Sequence, residues 1–327
     1  MKKLNRILLW FFLLVAFFLT GTLIYIKLAL PNVGPAPDLK VEMTPERISR
    51  GEYLANHVAV CIDCHSKRDW TRFSGPPTEG TFGMGGDRFD QKFGFPGVYF
   101  AKNITPAGIS RYTDGELFRV ITTGVNKEGE AMFPVMPFHY YGQMDGQDIQ
   151  SIIAYIRTLK PIQNVIPKSS SDFPMNFILN TIPHKGNPRK RPENTDLINY
   201  GKYIVNAASC IDCHTKVDKG KLIAGTEYGG GREFPFPDGS VVRSGNISPD
   251  KETGIGLWKK ELFITLFHAH ADSTTLHTTL KPGDFNSIMP WTMYGKMTDE
   301  DLGAVFAYLQ TIQPVSNKVL KFSPAIK

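Results

Sequence analysis

Three kinds of hydrophobic pattern follow one another along the chain. The first is continuous: Ile7 to Ile26 is a run of 20 residues without a charge, preceded by Lys2, Lys3 and Arg6 and followed by Lys27. A helix of that length spans a bilayer core. The second pattern is helical. Ile149, Ile152, Ile153 and Ile156 recur at steps of 3, 1 and 3, and Leu302, Val305, Phe306 and Leu309 repeat the spacing, so each set lies on one helix face. The third has no period: Gly75 to Gly108 and Gly225 to Gly256 are rich in glycine, proline and aromatic residues. Irregular stretches this long are uncommon in a compact domain unless they wrap something. No run alternates as a strand would, apart from fragments too short to weigh.

Cap chemistry sharpens the helices. Thr44-Pro45 supplies an N-cap and a first-turn proline for a helix running towards Cys61. Thr113 with Glu116 has the capping-box spacing, and Thr298 with Asp301 caps the last helix.

Beyond the proline-rich stretch Leu30 to Asp38, which reads as a flexible stalk, the chain aligns with itself. Gly51 and Tyr53 before Cys61 match Gly201 and Tyr203 before Cys210. NITP at Asn103 to Pro106 matches NISP at Asn246 to Pro249, and ELF at Glu116 matches ELF at Glu261. The strongest match sets MPFHYYGQMDGQDIQSIIAYIRTLKPI from Met136 against MPWTMYGKMTDEDLGAVFAYLQTIQPV from Met289, at a constant offset of 153 residues. Two copies of one domain explain this better than a single large domain or a solenoid. The predicted organisation is a membrane anchor at 1–30, a linker at 31–45, a first domain at 46–162, a linker at 163–195, a second domain at 196–316 and a C-terminal tail at 317–327. The fold class is mainly α.

Charge changes the picture little. The net charge is +6, but Lys2, Lys3, Arg6 and Lys27 belong to the apolar segment and its flanks, leaving 33 basic against 31 acidic residues and about +2 beyond it. No basic stretch resembles a phosphate-tracking surface, so a nucleic-acid partner is rejected. A cleaved signal peptide competes with the anchor, yet its apolar region should be shorter and end in small residues, whereas this one ends in Ile24, Tyr25 and Ile26. Three basic residues ahead of the run favour a cytoplasmic N-terminus, which puts the remainder on the periplasmic side of a bacterial inner membrane.

All four cysteines fall in two copies of CIDCH, at Cys61 to His65 and Cys210 to His214. A CxxC pair serves a redox disulfide, a structural disulfide, part of a zinc or iron–sulfur site or, with histidine next, covalent haem attachment. Zinc would need the two distant pairs to meet or other ligands to be recruited, and a thioredoxin site wants a βαβ context. None of these needs a histidine directly after the second cysteine. Haem does: two thiols add to the vinyl groups of one porphyrin edge and the following imidazole binds iron. By composition one CxxCH arises by chance in roughly one such chain per thousand, so two are informative. Cys61, Cys64 and His65, and Cys210, Cys213 and His214, are therefore the expected haem-binding residues, for two covalently bound haem c groups.

The opposite axial ligand is a methionine or a histidine. Met136 and Met289 hold equivalent places, each before a proline and just ahead of the last helix, 71 and 75 residues after His65 and His214. They are the expected iron ligands. Met144 and Met297 are also equivalent but sit at the start of a helix, which suits packing, and Met84, Met132, Met175 and Met293 read as core filling. His57, His139 and His184 have no counterpart in the other repeat. His268, His270 and His277 suggest a metal site by composition, but the i, i+2 spacing splits the first two between helix faces.

These features together resemble the class I cytochrome c family. Each half has CxxCH after a first helix bearing a glycine and an aromatic residue, a Met-Pro loop, and a last helix with an aromatic residue. The resemblance implies that first and last helices cross near the haem edge, at Gly51 with Tyr155 and at Gly201 with Tyr308. The string GNISPDKETGIGLW from Gly245, with MPW and YLQTIQPV, more narrowly resembles the cytochrome subunits of bacterial membrane-bound alcohol, aldehyde and sugar dehydrogenases. Those subunits typically carry three haem motifs, against two here, and the apolar segment here is at the opposite end from the one expected. The implied fold is two tandem cytochrome c domains plus an N-terminal transmembrane helix. The implied role is single-electron transfer between a dehydrogenase or quinol-oxidising donor and an oxidase subunit or soluble carrier, without an enzymatic activity of its own. A dihaem cytochrome c peroxidase, which needs one iron able to open a coordination position, is the alternative.

Overall fold

The computed structural model describes residues 2–271, 278–281 and 283–325. Its regular structure is mainly helical, with strands of only two to four residues. The N-terminal helix, Lys2–Ala29, packs little of its length against the rest, and its 27-residue portion Lys3–Ala29 is long and apolar enough to cross a membrane.

Both repeats are built on the same helix crossing. In the first, Thr44 Oγ1 accepts from Arg47 N at 3.3 Å and starts the helix Pro45–Tyr53, which continues through a wider turn closed by Ala59 N to Leu54 O at 2.8 Å. It crosses the last helix, Gly146–Thr158, at Gly51. A Cβ there would lie 1.8 Å from Ser151 O and 2.9 Å from Tyr155 Cβ, so only glycine allows the backbones to approach this closely. In the second repeat, Leu197–Ala207 crosses Asp299–Leu309 at Gly201, where a Cβ would lie 1.9 Å from Ala304 O and 3.0 Å from Tyr308 Cβ. The glycine–tyrosine crossings expected from the resemblance are both present. So are the expected caps: Thr113 and Glu116 form a reciprocal capping box on Asp114–Thr123, and Thr298 Oγ1 accepts from Asp301 N at 3.1 Å.

Short strands accompany the helices. Gly97–Phe100 lies between Arg88–Phe89 and Ser170–Ser171, both antiparallel, with Phe89 opposite Tyr99 and Gly97 opposite Ser171. Val241–Arg243 lies in the same way between Glu233–Pro235 and Phe322–Ser323, with Phe234 opposite Val242. Pairings of two or three residues are too short to leave a period-2 signal. In each repeat the chain after the last helix thus returns to bind the glycine-rich middle. Asn164 Nδ2 donates to Met84 O at 3.0 Å, and Asn317 Nδ2 donates to Gly229 O at 2.8 Å.

The repeats interlock through contacts that exchange roles between them. Tyr53 donates to Asp301 at 2.6 Å and accepts from Thr298 N at 3.1 Å; Tyr203 donates to Asp148 at 2.7 Å and accepts from Asp145 N at 3.2 Å. His57 Nδ1 lies 3.0 Å from Met293 O, and Asn206 Nδ2 donates to Tyr140 O at 3.1 Å. Each residue in one set is the repeat equivalent of its counterpart in the other, so the halves are related by a pseudo-two-fold arrangement. A continuous core runs across both, including Ile149, Ile153 and Leu54 from one half and Ile204, Leu302 and Leu309 from the other.

Candidate functional site

Each CIDCH motif forms a short helix, Cys61–Cys64 and Cys210–His214, entered through a residue with positive φ, Val60 at 44° and Ser209 at 48°. The sharp turn redirects the chain from the first helix and places the histidine against the middle loop. His65 Nδ1 lies 2.6 Å from Lys102 O, and His214 Nδ1 lies 2.8 Å from Gly245 O. A carbonyl only accepts, so Nδ1 carries the proton and Nε2 keeps its lone pair. Burial also pushes the pKa of both imidazoles down, favouring the neutral form that binds a metal.

The two carbonyls directly precede Asn103 and Asn246, and this gives the NITP and NISP motifs a role that the sequence did not disclose. Asn103 Oδ1 accepts from Thr105 N at 2.9 Å while its Nδ2 donates to Ile162 O at 2.8 Å. Asn246 Oδ1 accepts from Ser248 N at 2.9 Å, and its Nδ2 donates to Val315 O at 2.7 Å. The asparagines tie the middle loop to the end of the last helix and so fix the carbonyls that orient the histidines. Gly85 and Gly230 complete the arrangement. Their N–H groups donate to His65 O at 2.8 Å and His214 O at 2.7 Å. Their φ values are +69° and +68°, and a Cβ would come within 2.5 Å of Lys102 and 2.4 Å of Gly245 backbone carbons. The recurrence of both motifs was the available signal; their hydrogen bonds were not readable from it.

No disulfide joins any of the four cysteines. They retain accessible surface although protein atoms crowd them: burial pushes Cys61, Cys64 and Cys210 up to about 12 and raises Cys213 as well. Cys61 and Cys210 border the core, as do Met136 and Met289. Among the described residues, no group of three or more His, Cys, Asp or Glu side chains could hold a metal ion.

Met136 and Met289 occupy matching loops. Each precedes a proline and a single helical turn, Phe138–Tyr141 or Trp291–Tyr294, and its carbonyl accepts from Phe138 N at 2.8 Å or Trp291 N at 2.7 Å. Both methionines are half-buried, whereas Met144 and Met297 are buried in the core. Tyr141 and Tyr294, on the same turns, donate to Ala59 O at 2.8 Å and Ala208 O at 3.1 Å, which binds each methionine loop back to the chain just before its own cysteine motif. The two sites also meet. Tyr140 donates to Asp212, between the cysteines of the second motif, at 2.6 Å.

The other histidines are committed elsewhere. His268 bonds Gly295 O and Asp299, each at 2.7 Å, and His270 stacks against Phe73 and Trp291 at 5.5 and 4.7 Å between ring centres. His139 lies 3.9 Å from Asp212, and His184 is exposed. His277 lies outside the described residues.

The residue types at each motif fit a porphyrin iron, which would take two thiols at its edge, an imidazole with Nε2 left as a donor and a soft thioether from a loop bordering the same core.

No protein-family model matches the chain. It is similar to the fructose dehydrogenase cytochrome subunit of Gluconobacter japonicus, 28% identical over 284 residues covering 81% of this chain and 52% of that protein. It is also similar to the cytochrome c subunit of the quinone alcohol dehydrogenase of Gluconacetobacter polyoxogenes, at 24% identity over 82% of this chain and 56% of that protein. A dihaem cytochrome c-type protein of Cereibacter sphaeroides is 27% identical over 85% of this chain and 90% of its own length. The resemblance to dehydrogenase cytochrome subunits is therefore present along most of the chain, and it is to the cytochrome subunits rather than the catalytic ones. The chain spans about half the length of the first two relatives.

Proposed function

We propose that this protein is a membrane-anchored dihaem c-type cytochrome made of two tandem cytochrome c domains, 46–162 and 196–316, that passes single electrons. Cys61, Cys64, Cys210 and Cys213 hold the two haems, with His65 and Met136 as iron ligands in the first domain and His214 and Met289 in the second. The observation that carries the reading is the repeated bond from each motif histidine to a backbone carbonyl, Lys102 O or Gly245 O, which leaves Nε2 as a donor in both halves.

The haem supplies reversible one-electron chemistry, and methionine–histidine ligation raises its potential relative to more electron-rich ligand sets. The protein's part is to bind, orient and shield it. The carbonyl bond holds the imidazole plane, the tyrosine-tethered turn holds the methionine loop, and the shared core borders both. With both axial positions filled by protein, no position is left for a substrate. Both loops set a methionine before a proline and a tyrosine-tethered turn, which supports a carrier over the peroxidase reading, in which one iron opens a coordination position.

The expected donor is a dehydrogenase or quinol-oxidising complex and the acceptor an oxidase subunit or soluble carrier. The apolar helix Lys3–Ala29 supports the inner-membrane anchor, and the basic residues preceding its apolar run support a periplasmic location for the haem domains. A redox titration of the purified protein, monitored optically and repeated with hydrogen peroxide, tests the function. Two one-electron steps and a spectrum unaffected by peroxide are expected; peroxide turnover at a high-spin haem would overturn the carrier reading.

A further inference from the structure

Between the repeats, residues Phe173 to Pro183 form an eleven-residue stretch with no charge, containing Phe173, Met175, Phe177, Ile178, Leu179 and Ile182. Its short helix Met175–Ile178 and the following turn Leu179–Thr181 pack against the N-terminal apolar helix. The contact is at that helix's end: Asn180 Nδ2 donates to Ile26 O at 3.3 Å. A helix ending at Ala29 leaves its last four carbonyls, Ile26 among them, without an intrahelical partner. Asn180 therefore helps cap the helix at the residue where its uncharged run stops.

That position fixes a depth. If the uncharged run matches the hydrocarbon core, Ile26 lies at the level where hydrocarbon gives way to headgroups, and Asn180 lies beside it. Around it the apolar side chains face outwards: Phe173 is 80% exposed and Ile178 is 43% exposed. The rings of Phe173 and Phe177 meet edge to face with centres 6.1 Å apart. Exposed aromatic and aliphatic groups are unfavourable in water and favoured at a bilayer interface.

We propose that Phe173–Ile182 is a second membrane contact, seated at the headgroup–acyl boundary of the same phospholipid bilayer that the N-terminal helix crosses. The inference rests on the anchor reading. Continuity with the end of the span favours lipid as the occupant over a second protein. A single helix leaves the extramembrane part free to swing, whereas two contacts hold both repeats in one orientation towards a membrane-bound partner.

The test uses the full-length haem-loaded protein, whose native thiols are consumed, in nanodiscs of phosphatidylethanolamine and phosphatidylglycerol holding one copy each. Nitroxide labels are placed singly through Phe173→Cys, Ile178→Cys, Leu14→Cys in mid-span and Lys251→Cys as a water-exposed reference. Collision rates with oxygen and a water-soluble nickel chelate give their depth. The proposal predicts that labels at 173 and 178 meet nickel severalfold less often than the label at 251 and lie shallower than the label at 14. Nickel access at 173 and 178 equal to that at 251, with 14 still deep, overturns the second contact and leaves the anchor standing. Nickel access at 14 overturns the anchor itself. Protection that appears only with two copies per disc assigns the face to a second chain and overturns the lipid proposal.

Discussion

In the first repeat the other half grips the turn after Met136 through Tyr140, whose hydroxyl donates to Asp212 at 2.6 Å and whose carbonyl accepts from Asn206 at 3.1 Å. The Met289 loop of the second repeat has the same turn and tyrosine tether but is clamped from the other half at the methionine carbonyl itself. Ser74, buried and at φ 66°, donates to Met289 O at 2.5 Å and accepts from Trp291 N at 3.0 Å. Its own N–H donates to Asn286 Oδ1 at 2.9 Å. No equivalent hydroxyl bonds the Met136 carbonyl among the described residues. The CIDCH motifs differ as well. Asp63 is buried against Arg68 at 2.8 Å, while Asp212 takes the hydroxyl of Tyr140 from the other half. The repeats share the pairs Tyr53–Asp301 and Tyr203–Asp148 that join the halves but differ in the contacts made by Ser74 and Tyr140, so one scaffold carries two unequally braced sites.

The largest expected effect comes from removing the thiols of one repeat. Cys61→Ala with Cys64→Ala, or Cys210→Ala with Cys213→Ala, should each halve the covalently bound haem per polypeptide, read as pyridine haemochrome. Loss of both haems from either double variant would mean that the repeats do not build independent sites.

Methionine substitution comes next. Met136→Ala and Met289→Ala should each remove about half of the sulfur-to-iron absorption band. Met144→Ala should leave the band intact and lower stability by about 2–5 kcal/mol, because it opens a cavity at a side chain with no exposure. Loss of the band in Met144→Ala instead would reassign the ligand.

At the helix crossings, Gly51→Ala and Gly201→Ala should destabilise by similar amounts, about 3 kcal/mol at least, since the added carbon meets a backbone oxygen in both. Denaturant unfolding measures this, and a marked inequality would break the pseudo-symmetry. Ser74→Ala separates the sites. Removing a buried hydroxyl with two partners should cost about 1–3 kcal/mol and speed displacement of the Met289 thioether by added imidazole, leaving the Met136 site unchanged.

The smallest effect is a pH dependence peculiar to the second repeat. His268 has its pKa raised above 6.5, chiefly by the hydrogen bond to Asp299, and its repeat equivalent is Thr123. A group with a raised folded pKa adds stability that is fully present below its unfolded pKa and lost as pH rises through the folded value. Stability should therefore fall slightly as pH rises above about 6.5, and His268→Gln should flatten that fall, as followed by thermal unfolding; the pair is well exposed, so the change should be small.

Much of this was legible in the sequence because the informative residues are local. Thr44, Thr113 and Thr298 cap their helices through neighbours three positions away, and the isoleucines of Gly146–Thr158 lie on the buried face their spacing implies. Gly51 and Gly201 were placed at crossings by the resemblance, and the structure puts them there. What stayed hidden depends on pairings between distant segments. Strands of two residues leave no alternation. Lys102 and Gly245 act through backbone carbonyls, so their side chains carry no signal, and Ser74 reaches Met289 across 215 residues. Asp63 and Asp212 are identical in the two motifs, yet they have different partners.

Each repeat should build one complete histidine–methionine haem site. Low-temperature electron paramagnetic resonance of the oxidised full-length protein, with near-infrared spectra of the same sample, tests it most directly. Two low-spin ferric haems of equal intensity, each with a sulfur-to-iron band, are the predicted result. A high-spin or bis-histidine signal at either site would contradict it.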